Sequence, residues 1–295
     1  MKLYLFIAIY AFHFINSNPI DPQDILSAAK SRVLNCQSIQ YSEQALYPNP
    51  VGKIDTIQSS VAFSKNDNSA IGYDFTLLKE HNDNVYIDGV LKSVNHLVQK
   101  VVLFPNERSE KIKSYIEGMN VIRYAPLTLL SQKGWSYVGD TTIERKLLKD
   151  YYKIVNDTIV DGNTIYTEQH IFINPETKEL EQWERRNYFK GKLAQVVVYK
   201  YSDYKLDNDH SPLHYEMPTQ YPSILYGGNS DKTTLKTGQD APFFSIKDLG
   251  NNTLHLEEFK GGKILLNFSS IGCGNAHEAM KYLCQKDHQL LDGIA

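Results

Sequence analysis

Residues 164–204, TIYTEQHIFINPETKELEQWERRNYFKGKLAQVVVYKYSDY, predict the fold of most of this chain. Apolar and polar residues alternate along three runs, and short turns with Asn-Pro or Gly separate them. Such alternation is typical of strands that cover a core with one face only, and the short turns predict consecutive hairpins. The predicted strands of this antiparallel meander are Ile165–Ile173, Glu179–Phe189 and Leu193–Tyr204.

The same period continues towards the N-terminus. Further short β segments, bounded by Asn, Asp or Gly, are predicted at Thr56–Phe63, Gly72–Leu78, Asn84–Ile87 and His96–Phe104. A short helix around Pro126–Gln132 interrupts the series. Pro22–Asn35 precedes the strands and is predicted as an amphipathic helix, because Ile25, Ala28, Ala29 and Val33 fall near one face.

Length and composition predict two domains and no nucleic-acid partner. The chain has 295 residues and a net charge of −3, without a basic patch. The periodicity ends at about Asp207, and the residues up to Lys236 are rich in Pro, Gly, Asn, Asp and Ser. The predicted division is a signal peptide at 1–17, a β-rich domain at 18–206, a linker at 207–237 and a second domain at 238–295.

The first residues predict export. Lys2 supplies a charged start, Leu3–Ile15 an apolar run and Ser17 a small residue for cleavage. The run is shorter than the roughly 20 residues that span a bilayer, although an uncleaved anchor stays an alternative. No later segment is predicted to cross a membrane. The mature protein is therefore expected in the periplasm or another extracytoplasmic compartment.

Three cysteines in such a compartment suggest an unpaired or exchanging thiol. Cys36 is interpreted as a small buried apolar residue. Cys273 and Cys284 lie about 16 Å apart if one helix carries both, at 1.5 Å per residue. A disulfide needs Cα atoms about 4.4–6.8 Å apart, so these two cannot pair within an intact helix.

A single N-terminal helix followed by a long antiparallel sheet resembles the lipoprotein-carrier superfamily, the LolA-like proteins. This resemblance covers about residues 20–205 and rests on the order of the elements. It implies a strongly curved half-barrel that closes over the helix and encloses an apolar cavity. The curved face would then hold a lipid or another apolar ligand; the alternative is that it is simply core.

Residues 238–295 resemble the redoxin, or TlpA-like, thiol–disulfide reductases of the thioredoxin-like superfamily, which are related to peroxiredoxins. The segments that carry this resemblance are Gly238–Asp248, Asn251–Phe259, the strand Lys263–Phe268, Cys273–Ala276 at the C-x-x-C position and the helix His277–Leu291. The resemblance implies a thioredoxin-like α/β segment. The chain ends before the later strands of that fold, so the segment is expected to be truncated.

In that family the first cysteine attacks a disulfide and the second resolves the product. The resemblance makes Cys273 the nucleophile, and a helix N-terminus would favour its thiolate. Ala276 stands where the resolving cysteine belongs, so an external thiol would have to complete the cycle. His277 lies one helical turn from Cys273 and is either a support for the thiol or a solvated helix residue, the second being favoured.

A thiol peroxidase is a lesser alternative for this segment, and a zinc site is excluded. A thiol peroxidase would carry Ser or Thr three residues before the cysteine and Pro seven before; Ser270 fits the first requirement and Leu266 fails the second. One zinc ion cannot be bound by both Cys/His pairs, because Cys273/His277 and Cys284/His288 lie too far from each other along a straight helix. No metal and no cofactor are predicted.

The sequence therefore predicts an α+β fold, in which a curved antiparallel β-sheet with one packing helix precedes a truncated thioredoxin-like segment. The main functional hypothesis is an exported thiol–disulfide oxidoreductase that acts on protein or small-molecule disulfides and thiols. The alternative is an extracytoplasmic binding module for an apolar ligand or partner, with a vestigial redoxin segment.

Overall fold

The computed structural model describes residues 21–49, 52–104, 110–160, 162–207, 212–226, 237–240, 243–247, 250–259 and 261. Four α-helices lie in this part of the chain: α1 (Pro22–Asn35), α2 (Glu110–Gly118), α3 (Asn120–Arg123) and α4 (Pro126–Ser131). None of the helices among these residues is both long and apolar enough to cross a bilayer.

Twelve strands form one sheet: β1 (Ser38–Pro48), β2 (Ile54–Lys65), β3 (Tyr73–Leu78), β4 (Asn82–Ile87), β5 (Val90–Asn95), β6 (Lys100–Leu103), β7 (Ser136–Ile143), β8 (Lys146–Val160), β9 (Asn163–Ile173), β10 (Leu180–Phe189), β11 (Lys192–Asp207) and β12 (Ser223–Leu225). Their order across the sheet is β12-β6-β5-β4-β3-β2-β1-β11-β10-β9-β8-β7. Every neighbouring pair is antiparallel except β12 and β6.

Irregular register bends this sheet. The pairing shifts by a residue within β1/β11, β10/β11, β10/β9, β7/β8 and β8/β9. Each bulge bends its strand and increases the local twist, and several together curve the sheet around one face. We call the face that packs against α1 the inner face. The core lies there, between the helices and residues such as Tyr41, Val61, Tyr151, Ile171 and Trp183.

Helix α1 forms at the position that the sequence predicts. Asp21 caps it by accepting a hydrogen bond from the N–H of Gln23 at 2.8 Å, and Pro22 takes the first turn, where its missing N–H has no partner to lose. Ile25, Ala29 and Val33 are buried on one stripe. The apolar period of the sequence is therefore the stripe that faces the sheet.

The helix α1 runs across the strands. The hydroxyl of Tyr151 on β8 donates to the carbonyl of Pro22 at 2.5 Å, and the ammonium of Lys65 on β2 donates to the carbonyl of Leu34 at 3.0 Å. These strands are five positions apart, about 24 Å at 4.8 Å per strand, close to the roughly 21 Å length of a 14-residue helix. The element order implied by the resemblance to lipoprotein carriers is confirmed.

The predicted thioredoxin-like α/β segment is wrong. Among the described residues after β12, only β13 (Ser245–Lys247) and β14 (Thr253–His255) pair, as a two-stranded antiparallel sheet, and one 3₁₀ turn follows at Leu256–Phe259. Phe243, Ile246 and Phe259 are exposed. A two-stranded ribbon whose apolar side chains face solvent forms no core of its own, so the described fold is a β-sheet with few helices. The predicted strand at 263–268 and helix at 277–291 lie outside the described residues.

Candidate functional site: a groove on the inner face

The two ends of the inner face differ. Helix α1 covers the end where β10 begins and β11 finishes, as the ion pair between Arg32 and Glu179 at 3.2 Å shows. At the opposite end the strands border an open groove of about 1430 Å³. Its walls are the last part of β1, β3, β8 and β10, the first part of β2, β9 and β11, and helix α3.

Aromatic side chains separate this groove from the core beneath α1. The rings of Tyr124 and Trp183 stack with centroids 4.2 Å apart, and Tyr199 packs against both. The hydroxyls of Tyr47 and Tyr199 share a short hydrogen bond. These four residues form a layer, which we call the aromatic partition.

Helix α3 is too short to be stable alone and is held by contacts with this partition. The hydroxyl of Tyr201 donates to the carbonyl of Tyr124 at 2.5 Å, and the amide of Asn120 donates to the hydroxyl of Tyr47 at 3.3 Å. A guanidinium nitrogen of Arg185 donates to the Tyr124 hydroxyl at 3.4 Å. The sheet therefore fixes the helical wall of the groove in place.

Much of the groove is apolar. The side chains that give it this character include one from α3 and others from five strands: Ile57, Leu77, Val121, Ile165, Phe189 and Val197. Ordinary small-molecule pockets have volumes of about 300–1,000 Å³ and similar linings. The size and lining of this groove suit an extended apolar molecule rather than a small polar metabolite.

Buried polar atoms without a protein partner also line the groove. Among the described residues, no hydrogen bond reaches Glu43 Oε2, Ser59 Oγ, Asp55 Oδ2, Gln169 Oε1 or Arg185 Nε. Leaving such an atom unsatisfied costs about 1–3 kcal/mol, so native proteins rarely do so without reason. A polar group from outside the chain would satisfy them.

The strand registers place these atoms in two groups. Gln169 on β9 lies opposite Arg185 on β10, and Glu43 on β1 lies opposite Ser59 on β2. Their partners on β11, Val197 for Arg185 and Tyr201 for Glu43, are four residues apart, so the first pair lies nearer the open end and the second lies deeper.

Glu43 is the most perturbed carboxyl group at this site. Burial raises its pKa to about 7, against the smaller opposing effect of the positive charge of Lys79. Lys79 lines the same groove but forms no ion pair with Glu43 within the described contacts. The carboxyl group is thus half ionised near neutral pH.

The residues that the sequence predicted for redox chemistry are not part of this site. Cys273, Ala276 and His277 lie outside the described residues and stay predictions. Cys36 is buried, and its thiol donates a hydrogen bond to the carbonyl of Val33 at 3.0 Å. This confirms the interpretation of Cys36 as a small core residue. Burial raises the pKa of this thiol, which makes it less reactive.

The structure corrects the redox interpretation of the chain as a whole. The site built by the described residues is a groove in the β-sheet, with no thioredoxin-like scaffold beside it. No three His, Cys, Asp or Glu side chains in the described ranges are grouped to hold a metal ion. The interpretation of the chain as a thioredoxin-like, redoxin or TlpA-like protein is therefore wrong, because the described residues form a curved, largely antiparallel β-sheet with few helices.

Sequence reasoning missed the polar residues of the groove. A signal for one of them was present: Tyr41, Glu43, Ala45 and Tyr47 alternate on β1, so a single acid stands in an otherwise apolar or aromatic series. Arg185 follows Trp183 in the same way on β10. A lone charge on the covered face of a predicted strand is the pattern that would have identified both.

Known proteins resemble this chain in architecture only. No family model matches it, and no curated protein matches it. Among solved structures, a domain of an outer membrane lipoprotein-sorting protein from Vibrio parahaemolyticus is 11% identical, with a TM-score of 0.31, over 62% of this chain and 92% of that one. Lipoprotein LppX from Mycobacterium tuberculosis is 12% identical, with a TM-score of 0.30, over 64% and 100%.

A LolA superfamily protein from Nitrosomonas europaea is 13% identical, with a TM-score of 0.22, over 62% of this chain and 92% of its own. TM-scores this low carry no functional argument. The function must therefore be argued from the groove itself.

Proposed function

We propose that this chain is an extracytoplasmic binding module for an apolar ligand, which occupies the groove at the open end of the inner face. The observation that supports this most directly is the combination of a volume of about 1430 Å³ with an apolar lining and buried polar atoms that lack a protein partner. The predicted export signal at 1–17 supports the location.

The hydrophobic effect supplies the affinity in this proposal. A buried CH₂ group contributes about 0.8 kcal/mol when it leaves water, so a chain of several such groups binds usefully without any charged contact. The groove is preformed, because the aromatic partition and the hydrogen bonds to α3 hold its walls. A preformed site loses little conformational entropy on binding.

Substitution of Ile57 tests the proposal. Its side chain lines the groove and is 39% exposed there, so Ile57→Trp places a large ring in the space without disturbing the core. Ile54→Trp is the matched control, because Ile54 lies on the same strand, is 63% exposed and does not line the groove. Saturable binding of the apolar fluorophore N-phenyl-1-naphthylamine to the full chain is the measurement, with mass spectrometry of co-purifying lipid beside it.

We expect one saturable site in the unmodified chain and in the Ile54→Trp variant, and a loss of affinity of about tenfold or more in the Ile57→Trp variant, equivalent to about 1.4 kcal/mol. Absence of saturable binding by the unmodified chain would overturn the proposal. Equal affinity of both variants would place the binding site elsewhere and would also overturn it.

A further inference from the structure

Glu43 occupies an unusual position. It lies on the inner face of β1, opposite Ser59 on β2 and Tyr201 on β11. The residue is only 4% exposed, and its carboxyl oxygen Oε2 is buried without a hydrogen-bond partner among the described residues. The neighbouring Ser59 hydroxyl is in the same state. Two adjacent buried polar groups that both lack a hydrogen-bond partner can bind one polar group from outside the chain.

The surroundings of Glu43 supply little compensation within the chain. Lys79 affects the pKa of Glu43 through its charge, and Glu43 affects the pKa values of five tyrosines in the same way: Tyr41, Tyr47, Tyr199, Tyr201 and Tyr204. The pKa values of these tyrosines are all raised, first of all by burial, so the phenols are neutral at physiological pH. Lys79 is the one charged group in this set, and it forms no ion pair with Glu43 in the described contacts.

We infer, on the basis of the proposed function, that Glu43 and Ser59 hold the polar end of the apolar ligand, and that this end is a hydrogen-bond donor, either a hydroxyl or an ammonium group. Above its raised pKa of about 7 Glu43 is a carboxylate, which accepts hydrogen bonds and cannot donate them, so Oε2 then needs a donor. The Ser59 hydroxyl both donates and accepts, so it suits the same ligand group. A ligand carboxylate would instead bring a second negative charge into a buried site.

Competition with matched amphiphiles tests this inference on the full chain. Decylamine, 1-decanol, decyl methyl ether and decanoate share one alkyl chain and differ in their polar end. Each is titrated against bound N-phenyl-1-naphthylamine, below its micelle concentration. We expect the amine and the alcohol to displace the fluorophore at concentrations about tenfold lower than the ether, because a hydrogen bond to a charged acceptor is worth about that factor.

Substitution of the acid identifies its role. Glu43→Gln keeps the side-chain shape and removes the charge, so we expect it to weaken decylamine binding about tenfold or more while the ether is unaffected. Glu144→Gln is the matched control, because it makes the same chemical change at a side chain that is 67% exposed, pairs with Lys200 and does not line the groove. This control is expected to leave the order of the four competitors unchanged.

The pH dependence of displacement distinguishes an ammonium donor from a hydroxyl donor. Protonation of Glu43 as the pH falls through about 7 removes the attraction for an ammonium group, whereas an alcohol still finds an acceptor in the neutral carboxyl group. We therefore expect decylamine to displace the fluorophore at lower concentrations than 1-decanol above that pH, and to lose this advantage below it.

Equal displacement by all four competitors, a preference for decanoate, or an unchanged order in the Glu43→Gln variant would each overturn the inference while leaving the proposed function intact. An effect of Glu144→Gln equal to that of Glu43→Gln would also overturn it. Failure of the fluorophore and every competitor to bind would instead contradict the proposed function.

Discussion

A single acid on the covered face of a sheet, Glu43, is costly for the fold. Its pKa is raised to about 7 because burial disfavours the charged form more than Lys79 favours it. Between the ordinary value near 4.5 and this raised value, the folded chain binds more protons than the unfolded chain. The contribution of Glu43 to stability is therefore fully present below about pH 4.5 and is lost as the pH rises through about 7.

Replacement of Glu43 by glutamine should remove this pH dependence. The free energy of unfolding of the unmodified chain should fall by up to about 3 kcal/mol across this pH window, at about 1.4 kcal/mol per pKa unit. In the Glu43→Gln variant that fall should largely disappear, and the variant should be the more stable of the two at pH 8. Urea titration at pH 5 and pH 8 measures both values.

The control for this prediction is Glu144→Gln. Glu144 pairs with Lys200, its side chain is 67% exposed, and exposed ion pairs contribute little. This variant should keep the pH dependence of the unmodified chain. A Glu43→Gln variant that is less stable at pH 8 than the unmodified chain would show that the carboxylate has a partner that stabilises it.

At the scale of elements, helix α1 follows directly from local rules. Its cap, its proline and its apolar stripe all occur in consecutive sequence, so Pro22–Asn35 could be predicted with correct ends. The meander β9–β11 was equally predictable, because its turns and alternation are local. The strand predicted at His96–Phe104 begins too early. The side chain of Asn95 accepts hydrogen bonds from the N–H groups of Leu97 and Val98 in the turn after β5, so the strand β6 covers only Lys100–Leu103.

Elements that depend on distant partners were harder to predict. The sequence did not predict strands β1 and β8. Ser and Gln residues interrupt the apolar alternation of β1, and the bulge near Ile154 interrupts that of β8. Ser223–Leu225 lies within the predicted linker yet pairs with β6, and the ring of Tyr226 stacks on Phe104 with centroids 4.4 Å apart. The groove was hard to predict for the same reason, since its walls come from seven strands and α3.

The cap of α1 provides a test at this scale. Asp21→Ala removes the side chain that accepts the hydrogen bond of Gln23, and the loss of such a cap costs about 1 kcal/mol. Asp21→Asn retains an acceptor oxygen and should lose much less. Equilibrium urea unfolding compares the two variants, and equal losses would show that the charge of Asp21, rather than the hydrogen bond, stabilises the helix.

At the scale of the whole molecule, the inner face has a closed end and an open end. Helix α1 and its contacts close one end, and the aromatic partition separates that end from the groove. The closed end supplies the packing that a stable domain needs, which leaves the open end free to keep polar groups such as Glu43 unsatisfied. Stability and binding are thus assigned to different ends of the same strands.

This division predicts where a ligand changes hydrogen exchange. A ligand that binds only the folded chain slows the openings that expose its site, and regions remote from the site respond only through global unfolding. Addition of N-phenyl-1-naphthylamine should therefore slow amide exchange in α3, in the last residues of β1 and β10 and at the start of β2. Under conditions where global unfolding is negligible, exchange in α1 should not change. Exchange monitored by mass spectrometry after peptic digestion resolves these segments. At the same fluorophore concentration the Ile57→Trp variant, which binds more weakly, should show less slowing. Slowing in α1 of the unmodified chain that matches or exceeds that in α3 would mean that the ligand enters the core beneath the helix rather than the groove.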